Sequence, residues 1–392
     1  MKLAKSLLLG SVAGLAAVAG AQAADLPVKK AAPVEYVRVC STYGAGFFYI
    51  PGTETCLRVG GRVRADYMYL EPESRLDDSI GFRTRGRIQL DARTATAYGL
   101  LRTFVRFEMT RDTGAFGNVG TSANVDQAFV QFGGLTAGRA LTFFDNGDID
   151  AQTFRGVRWS DQPNVNLLAY TFSFGNGFSA SVALEEGRYA GRDALGFEDA
   201  DGDLFIAGQR MPDVVANVRY AGTWGSAQLS GALHQLRSVF ADVDTDYGFA
   251  VSGQFNFNLP MLAAGDTVWL AATYADGAVG YLGLGNDEAR LGIDAEIEGT
   301  QGWSIAGGLR HFWTPELRSN LFGSYASLDW DDDVVLGGDL DNEWIVGTNL
   351  LWSPVSGLTL GAEVQYTNRE FVDPDLSDED FWEARLRVQR DF

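Results

Sequence analysis

From residue 57 to the end, apolar and polar side chains alternate one for one in segment after segment, and that period commits the chain to strands. Successive side chains of a strand point to opposite faces, so each such segment has one apolar face and one polar face. Val59, Val63, Ala65 and Tyr67 alternate with Arg62, Arg64 and Asp66. Phe82, Ile88 and Leu90 alternate with Arg83, Arg85, Arg87, Gln89 and Asp91. Phe249, Val251, Phe255 and Phe257 alternate with Ser252, Gln254 and Asn256. The last segment sets Trp382, Ala384, Leu386 and Val388 against Glu383, Arg385, Arg387, Gln389 and Asp391, and stops on Phe392. A strand that closes a sheet in lipid gains more from that aromatic ending than a soluble edge strand does.

The pattern predicts sixteen strands, near 57–70, 80–95, 98–110, 123–133, 135–142, 166–174, 177–187, 213–222, 225–236, 247–258, 266–276, 301–313, 317–328, 343–353, 356–368 and 380–392. Their connections alternate in length. Short ones carry Gly, Asn or Pro, as at Gly133-Gly134, Gly175-Asn176-Gly177 and Pro354-Val355-Ser356-Gly357. Long ones are acidic, as at 197–203, 241–246, 329–341 and 373–380. Short turns on one rim and long loops on the other predict an all-β fold, a transmembrane antiparallel β-barrel of the bacterial outer-membrane kind. In hydrocarbon such a sheet must close, because an open edge leaves backbone groups unpaired. A soluble β-sandwich would also alternate, but its polar faces would be mixed and seldom carry arginine at every second residue.

The remaining bulk features agree. Aromatic residues make up 12% of the 392, and there are 47 glycines, a mix that suits many strands with aromatic belts. No stretch after the first twenty-odd residues approaches the roughly 18 apolar residues of a spanning helix. At the amino-terminus, Lys2 and Lys5 precede a mostly apolar run over 7–18, and Ala21-Gln22-Ala23 forms a small-residue cleavage site. Residues 1–23 are therefore expected to be a signal peptide, too short for a membrane anchor. Residues 24–56 form a periplasmic amino-terminal segment and 57–392 the barrel. Without Lys2 and Lys5 the formal charge moves from −20 to −22. That acidity argues against nucleic acid as a partner and favours a mild preference for cations. The two cysteines, Cys40 and Cys56, suit a disulfide in an exported chain, and the glycines and Pro51 between them let the chain turn back. Two buried free thiols are the alternative.

Arg62, Arg64, Arg83, Arg85, Arg87, Arg102 and Arg106 all take the polar parity of the first three strands. Closure brings Arg385 and Arg387 beside them, giving one basic arc along the lumen wall. The segment 143–165 breaks the period and is too long for a turn. It carries Asp145, Asp148, Asp150 and Asp161. Folded inward, it sets acids across the passage from the arginines, so that pore width and ring charge decide what passes. The competing reading is an external loop, with the arginines paired to Asp66, Asp91 and Glu108.

The stretch Val34-Glu35-Tyr36-Val37-Arg38-Val39-Cys40, with Tyr43-Gly44-Ala45-Gly46-Phe47-Phe48-Tyr49-Ile50-Pro51-Gly52-Thr53-Glu54-Thr55-Cys56, resembles the opening of alphaproteobacterial general porins. Gln131-Phe132-Gly133-Gly134-Leu135, Gly175-Asn176-Gly177-Phe178 and the terminal Arg387-Val388-Gln389-Arg390-Asp391-Phe392 extend the resemblance along the whole chain. It implies a sixteen-stranded homotrimer in the outer membrane, in contact with lipid and lipopolysaccharide, for passive diffusion of small hydrophilic solutes. It also implies that 143–165 is an inward-folded constriction loop. The start Ala24-Asp25 resembles that of relatives tethered to peptidoglycan, which implies the same link here.

A membrane-barrel hydrolase would need a nucleophile and a base, usually Ser with His. Only His234 and His311 are present, and there is no G-x-S-x-G elbow. His234 takes lumen parity, and His311 sits beside Phe312 and Trp313 in an interfacial belt. No enzyme is expected. A substrate-specific channel is the nearer alternative, and it needs an aromatic track. Phe104, Phe129 and Phe322 take lumen parity but form no track in sequence. Asp329, Asp331, Asp332 and Asp333 are dense yet lack EF-hand spacing, so neither a metal site nor a cofactor is expected.

Overall fold

The alternating segments pair with their neighbours in sequence order until the last one reaches the first. The computed structural model describes residues 38–117, 119–160, 163–187, 207, 210–284, 288–292, 294, 296–330, 339–373 and 377–392. Its strands are β1 Phe48–Tyr49, β2 Cys56–Leu70, β3 Ile80–Thr96, β4 Gly99–Gly114, β5 Gly120–Phe132, β6 Leu135–Leu141, β7 Asn164–Gly175, β8 Phe178–Glu185, β9 Asp213–Gly222, β10 Gly225–Leu236, β11 Asp246–Asn258 and β12 Thr267–Asp276. They continue with β13 Ala289–Leu291, β14 Ile297–Gly299, β15 Gln301–Phe312, β16 Leu317–Asp329, β17 Leu340–Trp352, β18 Leu358–Phe371 and β19 Glu379–Asp391. Every consecutive pair from β2 to β12 and from β15 to β19 is antiparallel. So are β12 with β15 and β19 with β2. The result is a closed barrel of sixteen strands, with no open edge to leave unpaired in lipid. β13 and β14 form a small separate hairpin in the long connection between β12 and β15.

The expected strands appear within a few residues of their predicted ends. The differences lie on the long-loop rim. β4 runs on to Gly114 and β17 begins at Leu340. There Arg111-Asp112-Thr113-Gly114 lacks apolar alternation, yet its backbone still pairs with β3 and β5. Hydrophobic period reports where a strand meets lipid; the backbone ladder continues past it into water.

The outward parity is exposed and apolar: Val59, Val63, Phe82, Ile88, Leu184, Val218, Leu229, Leu350 and Leu386 all lie on it. Aromatic rings band both rims, as barrels in lipid require. On the long-loop side Trp303 meets Tyr325, and Trp344, Tyr366 and Trp382 follow one another at 5.0–5.1 Å. On the short-turn side Phe178, Tyr220, Trp224 and Phe257 make a second chain of contacts.

Before β2 the chain turns back on itself. Cys40 and Cys56 form a disulfide with Cα atoms 6.0 Å apart, packed on the buried Phe47. The guanidinium groups of Arg58 and Arg93 stack on the Phe47 ring. This holds residues 38–55 against the start of β2.

Two long connections turn into the barrel rather than out of it. Residues 142–160, in the connection between β6 and β7, are held at several points by side chains of the lumen wall. Residues 277–284, after β12, bury Ala278, Val279, Tyr281, Leu282 and Leu284 against Phe144 and against the inward-facing Ala183, Val215, Ala232, Ala250 and Ala326. The approach is close. A Cβ on Gly283, whose φ is +78°, would lie 2.0 Å from the Trp159 carbonyl oxygen. Small residues at these wall positions make room for this second inward connection, which the sequence reading did not anticipate.

Candidate functional site

The arginines of the first strands line one side of the lumen, and register sets them face to face. Arg62 lies opposite Arg87, and Arg64 opposite Arg85. Like charges directly opposed on a sheet repel. Carboxylates interleaved on the same wall offset that repulsion. Arg87 donates to Glu108 at 2.6 Å and Arg83 to Asp112 at 2.7 Å. Arg93 and Arg102 both fork onto Asp91. Arg106 reaches Asp126 at 3.2 Å, and Arg85 lies 3.7 Å from Glu108. At the seam, Arg387 grips Asp66 through two bonds of 2.6 and 3.1 Å, and Arg62 pairs with Asp391 at 2.6 Å. Arg385 pairs with Glu383 at 2.6 Å. Both sequence readings of these arginines therefore describe part of the arrangement: they share one wall, and Asp66, Asp91 and Glu108 each hold at least one of them.

The inward segment crosses to the far wall. Its anchors alternate between backbone and charge. Glu185 accepts from the Phe143 N–H at 2.7 Å. Gln254 accepts from the Asn146 N–H at 2.6 Å. Glu363 accepts from the Phe154 N–H with both carboxylate oxygens, at 2.9 and 2.8 Å. Asn349 donates to the Gln152 carbonyl, and Ser324 accepts from the Arg158 N–H. The segment's own arginines are the charged anchors: Arg155 pairs with Glu383 at 2.5 Å, and Arg158 pairs with the buried Glu343, which also takes Arg369 at 2.7 Å. Arg385 donates to the Phe154 carbonyl at 2.7 Å, so the segment also touches the closing strand.

The acids are distributed along it. Asp145 is buried, receives a bond from Gln254 at 3.1 Å, and borders a cavity of about 520 Å³ that also takes in Arg102, Arg106 and Arg219. Asp148 pairs with Arg219, and Asp150 pairs with Arg310 at 2.9 Å. Their side chains are 44% and 55% exposed, so both face open space as well as their partners. Asp150 borders a second cavity, of about 350 Å³, together with Arg62, Arg64 and Arg387. Asp161 lies outside the described residues.

Several residues of this arrangement escaped the sequence reading. Arg219, Arg310 and Arg318 form a second basic group on the opposite wall, where they meet Asp148, Asp150 and Gln152 of the segment. Each sits alone in its strand, without the run of alternate arginines that marks the first wall. Glu343, Glu363 and Glu383 are polar-parity residues like many others; only their partners, up to 228 positions away for Glu383, give them a role. Phe104 and Phe129 stack at 5.3 Å with Arg102 beside both rings, a local pair rather than a track. Phe322 packs instead with Trp159 and Trp269. His234 is buried against Asp213 at 2.6 Å, and His311 pairs with Asp266 at 2.7 Å and meets Trp313 edge-on.

Comparison with known proteins gives three results. A family model described as the Porin subfamily matches residues 25–383. The chain is similar to Porin Omp2b of Brucella suis, at 34% identity over 421 residues that cover 99% of each chain. Among solved structures it resembles the outer membrane channel DcaP of Acinetobacter baumannii, with a TM-score of 0.71 at 18% identity over 88% of this chain and 99% of that one. It also resembles the trimer form of OmpT of Vibrio cholerae, with a TM-score of 0.50 at 10% identity over 87% of this chain and 100% of that one.

Proposed function

Because this chain belongs to the porin subfamily, we propose that its selective passage lies between the arginine wall and the inward segment 142–163. The protein is a multi-pass outer-membrane porin, a channel through which small hydrophilic solutes and ions diffuse passively. It is a channel rather than an enzyme.

In this reading the eyelet is formed by Arg62, Arg64, Arg83, Arg85, Arg87, Arg102, Arg106, Arg385 and Arg387 on one side. Asp145, Asp148 and Asp150 lie on the other. The observation that carries it is the grip of Glu363 on the Phe154 N–H, which fixes the middle of the segment inside the barrel. Arginines on one side and carboxylates on the other create a field across the passage. That field orders water and orients dipolar solutes, and ring charge then tunes selectivity.

Three such barrels assemble as a homotrimer, a state supported by the family and by the trimer form of OmpT. Residues 1–23 serve as the signal peptide and 24–56 as the periplasmic amino-terminal segment. The mature start at Ala24-Asp25 carries the peptidoglycan link, and the outer face and rim contact lipid and lipopolysaccharide. Intact mature chains released without muramidase would contradict the peptidoglycan link. The test of the channel is conductance in planar bilayers. Steps grouped in threes, ohmic in salt, support a trimer of diffusion channels. Conductance that saturates with one sugar would favour a substrate-specific channel.

A further inference from the structure

Most lumen arginines have a carboxylate within ion-pair reach, and two that do not meet at one cavity. Arg64 and Arg318 lie on opposite sides of the same cavity-forming seam, one on β2 and one on β16, and both border the 350 Å³ cavity beside Asp150. Neither makes an ion pair among the described residues. Arg64 donates through Nε to Gln389 Oε1 at 2.9 Å, and Arg318 through Nη2 to Gln152 Oε1 at 3.1 Å. Both acceptors are neutral amide oxygens. A guanidinium carries five N–H donors in a planar fork, so each keeps donors available to the cavity.

The other charges there are already matched. Arg62 is held by Asp391, Arg387 by Asp66, and Asp150 by Arg310. The cavity also has an apolar side. The Phe154 ring lies 3.9 Å from the Arg387 guanidinium carbon, and Leu351 borders the same space. Two guanidinium groups with no ion-pair partner, next to an aromatic and an aliphatic surface, make a specific shape of demand: a negative head that accepts paired hydrogen bonds, on a short apolar body.

We propose that this cavity is a binding subsite for small organic carboxylates, with the carboxylate taken by Arg64 and Arg318 and the apolar body laid against Phe154 and Leu351. The proposal rests on the channel reading above and adds a ligand class to it. A carboxylate matches the guanidinium fork bidentately, whereas a halide cannot use the fork geometry. Inorganic phosphate satisfies the fork but leaves the apolar side wet.

The test is single-channel current in planar bilayers at fixed potassium chloride, with benzoate, acetate and inorganic phosphate titrated in turn. The subsite predicts that benzoate lowers the current along a saturating curve, at lower concentration than acetate or phosphate. Arg64→Gln with Arg318→Gln raises the half-blocking benzoate concentration about tenfold or more, as the loss of charge-assisted bonds requires. Arg64→Lys keeps the charge but loses the fork, and shifts the half-block in the same direction. A linear fall without saturation, or the same half-block in the double variant, overturns the subsite. Phosphate blocking as well as benzoate overturns the organic-carboxylate assignment. Wild-type channels that conduct without these effects fail the subsite alone; absence of any conducting step fails the channel reading and the subsite together.

Discussion

Gly61 and Phe392 exchange both backbone hydrogen bonds, the Gly61 N–H to the Phe392 carbonyl at 2.9 Å and the Phe392 N–H to the Gly61 carbonyl at 3.0 Å. The last residue of the chain thus completes the ladder of the first barrel strand. Its ring lies over Gly61 on the outer face, where a Cβ would stand 2.4 Å from the ring. Two residues back, Arg390 reaches the Ser356 carbonyl in the neighbouring short turn, which fits its break from apolar parity at that rim.

Replacing Gly61 by Val should therefore strain the seam. The Cβ would meet not only the ring but also the Arg87 carbonyl at 2.7 Å, so the backbone must shift. Overpacking of this kind costs about 1–3 kcal/mol. The expected outcome is a smaller fraction of heat-modifiable folded barrel on unboiled gels, and removal of Phe392 should act in the same direction. Wild-type amounts of folded barrel in Gly61→Val would show that closure tolerates the change.

Glu363 holds the inward segment by a charge-assisted grip on one backbone N–H, with Asn349 on the same carboxylate. Glu363→Gln keeps the shape and one acceptor oxygen but removes the charge, weakening the anchor by about 1 kcal/mol, roughly the difference between a hydrogen bond to a charged group and one to a neutral group. The barrel itself should fold, because its strands do not depend on this bond. The open channel should become noisier, with frequent brief transitions between conductance levels. Current traces as quiet as those of the wild type would mean the other anchors suffice.

Charge selectivity follows from how completely the lumen arginines are matched. Since Arg83, Arg87, Arg102 and Arg387 each have a carboxylate partner, they add less positive field than their number suggests. With a formal charge of −22 over residues 24–392, a mild cation preference is expected in reversal potentials across a salt gradient. Replacing Arg83, Arg85 and Arg87 together by Ser leaves Glu108 and Asp112 unmatched on the wall. The permeability ratio should then move several-fold further toward cations, with a larger conductance. An unchanged ratio and conductance would place these residues away from the narrow passage.

The strands were legible because lipid on the outside and water on the inside write the same two-residue period into every crossing. The arginine wall was legible for the same reason: its members share the polar parity of adjacent strands, β2 to β4 and the closing β19. What holds the inward segment was not. Arg155 with Glu383 and Arg158 with Glu343 join residues far apart in sequence, and nothing local in either partner marks the pair. The second inward connection left a fainter trace. Alanines at 183, 232, 250 and 326 take lumen positions where a water-filled wall ought to be polar, and they are small because Val279, Tyr281 and Leu282 pack nearby. Asp148 and Asp150 were placed on the passage from their segment alone, but their partners, Arg219 and Arg310, are single arginines in otherwise ordinary strands.

The central claim is that the segment carrying Asp150 stands in the path of the ions. Both native cysteines are joined in one disulfide, so Asp150→Cys introduces a lone thiol, at a side chain 55% exposed to the lumen. Single-channel current is recorded while a bulky cationic methanethiosulfonate is added, and mass spectrometry confirms that the thiol has reacted. The account predicts a stepwise, irreversible fall in current as each channel is modified, while the wild type is unaffected. Complete modification with unchanged current would contradict it, because the segment would then lie out of the conducting path.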